Sequence, residues 1–184
     1  MARINRIKKS RKEQKCSKCG KILPVGSEYL KATPYHARPI IRCTSCGLRS
    51  WETSQSEFIQ TCGSISEDWR TNYGVEGVSD IVSDLENLRD TTQDSYDNMP
   101  ESLQYGPTGE ELENRVSMLD DVISNLENIE DFDDYLNNAR DEYLSDHGMD
   151  EDDELSEEAE AKIRESAEGA IESDIEDALS GLEY

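Results

Sequence analysis

The chain has 184 residues, of which 42 are Asp or Glu and 19 are Lys or Arg, so its net charge is −23. Leu, Ile, Val and Phe together make up only 35 residues, which excludes a single large hydrophobic core. There is no apolar run long enough to span a bilayer, and the N-terminus lacks the apolar core of a signal peptide. These features predict a protein without membrane contact that is located in the cytoplasm.

The charge is distributed very unevenly along the chain. Residues 1–50 contain 13 basic and 2 acidic residues, whereas residues 51–184 contain 6 basic and 40 acidic residues. Such a division favours either nucleic-acid contact by the basic half or an interaction role for the acidic half. The plainer interpretation is that the acids provide solubility and repel nucleic acid everywhere except at one patch.

Residues 1–15 read as a solvated basic arm. Its cations are Arg3, Arg6, Lys8, Lys9, Arg11, Lys12 and Lys15. Cations at this density neutralise phosphates, so the arm is a candidate nucleic-acid contact. An equally good interpretation is that the arm covers the acidic residues of its own chain.

Two Cys-x-x-Cys-Gly motifs follow, at Cys16–Cys19 and Cys43–Cys46. The two-residue gap lets both sulfurs of a pair face one ion, and two pairs complete a tetrahedral shell. The alternatives are a redox pair or a disulfide framework, but no apolar strand precedes Cys16 as it does in redox sites. The spacing therefore predicts one structural Zn²⁺ per chain, bound by all four thiolates.

Residues 16–50 are predicted to form a short β-hairpin with a cysteine knuckle at each end. Pro24–Gly26 indicates a tight turn, and 27–33 and 40–42 are typical of strands. A unit this small needs metal binding, worth on the order of 10 kcal/mol, for stability.

This pattern resembles a zinc ribbon of the rubredoxin-knuckle kind. The run from Cys16 to Tyr29, Cys-x-x-Cys-Gly-Lys-x-Leu-Pro-x-Gly-Ser-x-Tyr, is also similar to small zinc-ribbon proteins of bacteriophage-type genomes, whose function is unassigned. The resemblance extends over about residues 1–50, and it implies only the four cysteine ligands. A phage origin would place the protein in the host cytoplasm.

Two further residues could be linked to the metal or to catalysis. His36 lies between the knuckles, but four cysteines already complete the shell, so we expect it at an exposed loop tip. Cys62 has no partner at ligand spacing and no clear catalytic base, so it is expected to be a semi-buried thiol that behaves as a small hydrophobe.

Several residues of the ribbon could add to a nucleic-acid surface. Arg38 and Arg42 extend the candidate set of cations from the arm. Tyr29, Tyr35 and Trp51 could stack on bases, although the commoner role of such residues is to cap a small core.

The remaining chain is predicted to be mainly α-helical and acidic. Residues 51–74 form a connector with a short helix, started by a capping box at Ser54 and Glu57. Residues 75–146 show two heptad-like stripes that predict a coiled-coil-like helical hairpin plus a third helix. The stripes are Val78, Ile81, Leu85, Leu88 and Thr92, and then Leu112, Val116, Leu119, Ile123 and Leu126.

A capping box at Thr108 and Glu111 is expected to start the second of these helices. Because two narrow stripes are marginal alone, the segment from Phe132 to Tyr143, or a homodimer through the helices, would complete their packing. Residues 147–155 form an acidic linker, and 156–184 form a terminal helix that should be the least firmly packed part of the chain.

These features predict a non-enzymatic zinc-ribbon adaptor. Its basic half would contact nucleic acid or a nucleic-acid-processing protein, and its acidic helices would modulate that contact. There is no phosphate-binding glycine loop, catalytic triad or open metal site in the sequence. The alternative is an acidic interaction or inhibitor protein that imitates nucleic acid and acts on a host protein.

Overall fold

A computed structural model describes residues 2–34, 38–150 and 155–182. The chain divides into two compact units, one ending at Ser64 and the other beginning at Ile65. We call them the N-terminal unit and the helical unit. No helix in the described ranges is both long and apolar enough to cross a bilayer. Tyr35, His36 and residues 151–154 of the predicted acidic linker lie outside the described residues.

The N-terminal unit is built on two small antiparallel sheets. Strands β1 (Asn5–Ile7), β4 (Tyr29–Ala32) and β5 (Ile40–Cys43) form one sheet in the order β1-β4-β5, and β2 (Gln14–Lys15) pairs with β3 (Ile22–Leu23) in the other. The predicted hairpin is present as β4 and β5, where Tyr29 is paired with Cys43 and Ala32 with Ile40.

Residues 1–15 are not the solvated arm that their charge indicates. Asn5–Ile7 pairs with β4, and Ile7 packs against the core of the N-terminal unit. Ser10 is buried, and its backbone exchanges hydrogen bonds with Ser27 and Gly26 at 2.9 and 2.8 Å. Backbone pairing therefore orders this basic segment as part of the sheet structure, because β4 offers it a free edge.

The rest of the described chain is mainly helical. The helices are α1 (Glu57–Asn72), α2 (Val78–Asp97), α3 (Glu101–Gln104), α4 (Pro107–Glu127), α5 (Phe132–His147) and α6 (Glu157–Leu179), with 3₁₀ turns at Trp51–Thr53 and Val75–Gly77. The boundary between the two units falls within α1. This helix is longer than the short one predicted, and it continues to Asn72.

Both predicted capping boxes are wrong in detail. The Ser54 hydroxyl accepts from the Ser56 N–H at 3.1 Å, before α1 begins. Helix α4 begins at Pro107 with Gly106 as its N-cap, which places Thr108 inside the first turn. Proline is favoured at the first helical position because its missing N–H would have no partner there, and this preference outweighs the hydroxyl cap.

The predicted helical hairpin is formed by α2 and α4, which pack together in antiparallel directions. Arg89 of α2 contacts Asp120 of α4 at 3.4 Å, and the start of α2 lies beside the end of α4. The predicted stripes form the contact, since Ile81, Leu85, Leu119 and Leu126 are all fully buried.

The terminal helix is firmly packed, which contradicts the expectation for it. Helix α6 packs against α5 and also contacts α4. Its buried positions are Ala159, Ile163, Ala167, Ile171, Ile175, Ala178 and Leu179. Small alanines in this stripe let neighbouring helices approach closely, so a weakly apolar helix still buries a continuous face. The segment from Phe132 to Tyr143, which was expected to complete the packing of the hairpin, packs mainly on α6.

Candidate metal centre

Two backbone turns present the four cysteines. Cys16 and Cys19 lie in the turn between β2 and β3, while Cys43 ends β5 and Cys46 follows it. In each turn the glycine after the second cysteine has a positive φ, 73° at Gly20 and 67° at Gly47. The glycine N–H donates to the carbonyl of the first cysteine, at 3.0 Å in one turn and 3.2 Å in the other. The two motifs therefore have the same knuckle geometry.

The four sulfurs converge on one point. All four Sγ atoms lie within 4.8 Å of one another, and those of Cys19 and Cys43 are 3.8 Å apart. A tetrahedral shell with metal–sulfur bonds of about 2.3 Å has an edge of about 3.8 Å. The cluster can hold one metal ion. It is the one group of three or more potential ligands at such distances in the part of the chain that the structure describes.

Backbone N–H groups point at the sulfurs and favour their ionised form. The Cys43 N–H donates to Cys16 Sγ at 3.4 Å, and the Cys46 N–H donates to Cys43 Sγ at 3.3 Å. Burial by itself would raise the pKa of Cys16, but N–H donors from Cys19, Cys43 and Lys18 lower this pKa to about 6. The pKa of Cys43 is lowered first by the hydrogen bond from the Cys46 backbone.

The pKa of Cys46, the fourth thiol of the cluster, shifts in the opposite direction. Hydrogen bonding to the sulfurs of Cys43 and Cys19, followed by burial, raises the pKa of Cys46 to about 12. Four sulfurs this close cannot all carry negative charge without a cation among them. Metal binding at this centre must therefore release protons and become weaker in acid.

Two of the four cysteines are buried in the core of the N-terminal unit. Cys16 and Cys43 are buried together with Leu23 and Tyr29, and Cys19 is the exposed member of the four. Four sulfur ligands complete a tetrahedral shell and leave no position for a substrate or water. This arrangement is that of a structural metal site and not of a catalytic one.

A polar network behind the first knuckle was not predicted from the sequence. The Ser17 hydroxyl donates to the Ile41 carbonyl at 2.7 Å and accepts from Arg42 Nη1. Arg42 Nη2 lies 2.6 Å from Glu52 Oε1, and the other Glu52 oxygen accepts from the Arg49 N–H at 2.8 Å. Arg42 thus joins the metal knuckle to the 3₁₀ turn that follows β5.

This network makes Arg42 a poor candidate for a nucleic-acid contact. Its side chain is only 14% exposed, and the Glu52 side chain is 13% exposed. A half-buried arginine that already donates to a carboxylate has little capacity left for a phosphate. We therefore assign Arg42 to the packing of the N-terminal unit.

The other predicted cations lie on the surface. The exposed residues of this set are Arg3, Arg6, Lys8, Lys9, Arg11, Lys12, Lys15 and Arg38. Arg6 is paired with Glu28 at 2.6 Å, and Lys8 is close enough to lower the pKa of the same carboxylate further. The remaining six have no ion pair among the described residues.

The aromatic residues that the structure describes in the N-terminal unit are buried. Tyr29 and Trp51 are each 8% exposed, which agrees with core packing and leaves little ring surface for base stacking. Cys62 is fully buried, more deeply than expected. Gly63 lies directly against the Trp51 ring. No exposed aromatic ring occurs among residues 2–34 and 38–64.

Comparisons with family models, with curated proteins and with solved structures found no match for the chain. The predicted relation to zinc ribbons of bacteriophage-type genomes therefore stays a prediction.

Proposed function

We propose that the protein is a zinc-dependent adaptor and not an enzyme. Its four thiolates would hold one structural Zn²⁺, and the exposed cations beside them would bind nucleic acid or a nucleic-acid-processing protein. The observation that carries the metal part is the convergence of four sulfurs at tetrahedral spacing. Four soft thiolates in a closed shell favour zinc among the ions available to proteins.

Metal analysis of the purified full-length protein tests the zinc part. We expect one equivalent of zinc per chain, released by acid or by a strong chelator. Cys43→Ser should lose the metal, whereas Cys62→Ala should keep it, because Cys62 is buried outside the cluster. Metal-free wild-type protein with all five thiols open to a thiol reagent would contradict the proposal.

The exposed cations support the second part of the proposal. Six of them lack a carboxylate partner in the described structure, and several lie on β1, β2 and the segment between them. Because Tyr29 and Trp51 are buried, base stacking by these two rings would add little affinity. Contact would be made chiefly with backbone phosphates, so duplex DNA or RNA fits better than a single strand.

Fluorescence anisotropy with a labelled duplex tests the nucleic-acid part. Lys9→Gln/Lys12→Gln should weaken binding, and the slope of log K against log salt should fall by about 0.9 for each lost contact. The matched control is Lys162→Gln/Arg164→Gln, which removes two exposed cations from the helical unit. Equal losses in both variants, or no binding by the wild type at low salt, would contradict nucleic-acid contact and leave the zinc part intact.

The acidic helices would weaken this contact through long-range repulsion. Deleting the terminal helix is a poor test, because α6 contributes much of the buried core. Neutralising exposed carboxylates leaves the core intact, and Asp121→Asn/Asp141→Asn/Glu165→Gln is suitable. This variant should bind the duplex more tightly at low salt and equally well at high salt, where the repulsion is screened. If the affinity for the duplex at low salt is unchanged, the acidic helices do not modulate nucleic-acid binding.

A further inference from the structure

One end of the helical unit carries an open cleft of about 730 Å³. It is lined by the start of α2, the end of α4, the turn before α5 and one residue of α6. Its apolar walls are formed by Val78, Val82, Leu126, Ile129, Phe132 and Ile171. Clefts of a few hundred Å³ with apolar walls commonly receive large side chains or small ligands.

All the charged residues that line this cleft are acidic. The carboxylates are Glu76, Glu127, Glu130, Asp131 and Asp133, and no Lys or Arg lines the cleft. None of the five is in an ion pair with a cation among the residues that the structure describes. Arg164 lies 5.6 Å from the centre of the Phe132 ring, but it pairs with Glu168 and does not line the cleft.

One of these acids is placed against helix electrostatics. Glu127 is the last residue of α4, where the exposed carbonyls form the negative end of the helix. No basic residue occupies that last turn. Glu130, Asp131 and Asp133, by contrast, lie at the N-terminus of α5, where negative charge is favourable. Helix stability therefore accounts for these three acids but not for Glu127.

A second cavity of about 330 Å³ also has Ile129 in its lining, together with Tyr135, Asp174 and Asp177. Two cavities that share a lining residue suit an elongated occupant better than a compact one. Because both linings contain carboxylates, positive charge along such an occupant would complement them.

We infer that this acidic cleft binds a cationic amphipathic peptide segment of a partner protein. Apolar side chains of the segment enter the two cavities that share Ile129, and its Lys or Arg side chains meet the carboxylates that line them. The arrangement is that of a helix or strand laid in a groove, with apolar anchors for affinity and charge for orientation. This inference does not depend on the metal or on nucleic-acid binding.

The test measures the affinity of full-length, zinc-loaded protein for a fluorescein-labelled peptide. The peptide has 12 to 16 residues and is built from Lys and Leu. Glu127→Gln/Glu130→Gln should weaken binding on the order of fivefold to tenfold, as two partly exposed charge pairs allow. The matched control, Asp121→Asn/Glu165→Gln, removes two exposed carboxylates that line neither cavity. At an ionic strength of about 0.15 M, where distant charges are screened, it should leave the affinity unchanged. Ile129→Ser should also weaken binding, because it removes the apolar side chain that both cavities share.

Two peptide controls separate the groove from a general acidic field. Replacing every Leu of the probe by Ser should abolish site-dependent binding, and replacing every Lys by Glu should abolish binding altogether. Equal weakening by the cleft variant and the matched control would overturn the inference, as would full affinity of the Ser peptide. A dimer in sedimentation velocity that Glu127→Gln/Glu130→Gln dissociates would assign the cleft to a second copy of the chain instead.

Discussion

Gly63→Ala gives a sharp test of how the N-terminal unit is packed. Gly63 lies in the interior of α1, and a Cβ atom placed there would be 2.3 Å from Cγ of Trp51 and 2.6 Å from Cδ1. A tolerable contact begins near 3.4 Å, so helix and ring must separate by about 1.1 Å, the difference between the two distances. The Trp51 ring is 8% exposed and cannot move aside without displacing its neighbours.

Two opposing effects decide whether this substitution raises or lowers the free energy of unfolding. Alanine in a helix interior is favoured over glycine by about 1 kcal/mol. Forcing a methyl group into a well-packed site costs about 1–3 kcal/mol, and a displacement of this size belongs at the upper end. We therefore expect Gly63→Ala to lower the free energy of unfolding by about 2 kcal/mol.

Gly169→Ala is the matched control. Gly169 lies in α6, and nothing is within 4 Å of its Cβ position. The same substitution there should raise the free energy of unfolding by about 0.5–1 kcal/mol. Urea titrations followed by tryptophan emission and far-ultraviolet circular dichroism measure both variants. If Gly63→Ala proves as stable as the wild type, the conclusion that Trp51 packs closely on α1 is wrong.

Three further substitutions probe other contacts. Arg42→Gln should cost about 1–3 kcal/mol of stability because it leaves the half-buried Glu52 carboxylate without its cation, and Arg42→Gln/Glu52→Gln should recover part of the loss in urea titrations. Burial and the hydrogen bond to Asp174 raise the pKa of Tyr135 from 10 to about 12. The unfolded state thus loses this proton first, so stability should fall between pH 10 and 12, and less so in Tyr135→Phe. Ile175→Ala should cost about 2–5 kcal/mol since Ile175 is fully buried, and a loss below 0.5 kcal/mol would make α6 a loosely packed helix after all.

The cysteine cluster could be predicted because the evidence for each knuckle is local in sequence. A two-residue spacing and a following glycine are enough to indicate the knuckle geometry. The stripes of α2 and α4 were predictable for a similar reason, since large apolar residues recur at helical spacing within each segment.

The features that sequence reasoning missed depend on partners far along the chain. Strand β1 exists because Asn5 pairs with Lys31, and its three residues carry no strand pattern of their own. The burial of α6 depends on how closely α5 and α4 approach its alanines. The pair formed by Arg42 and Glu52 joins a strand to a 3₁₀ turn, and nothing in the spacing of the two residues indicates it.

Strand β1 has a consequence for the solubility of the protein. It lies at the end of the strand order, so one side of its backbone is not paired within the sheet. Exposed edges of this kind invite pairing between molecules, and charged residues on a short edge strand discourage it. Arg3, Arg6 and Lys8 stand along this edge. The cations here therefore keep molecules apart whatever else they bind, and variants that neutralise them must be checked for aggregation before any loss of binding is interpreted.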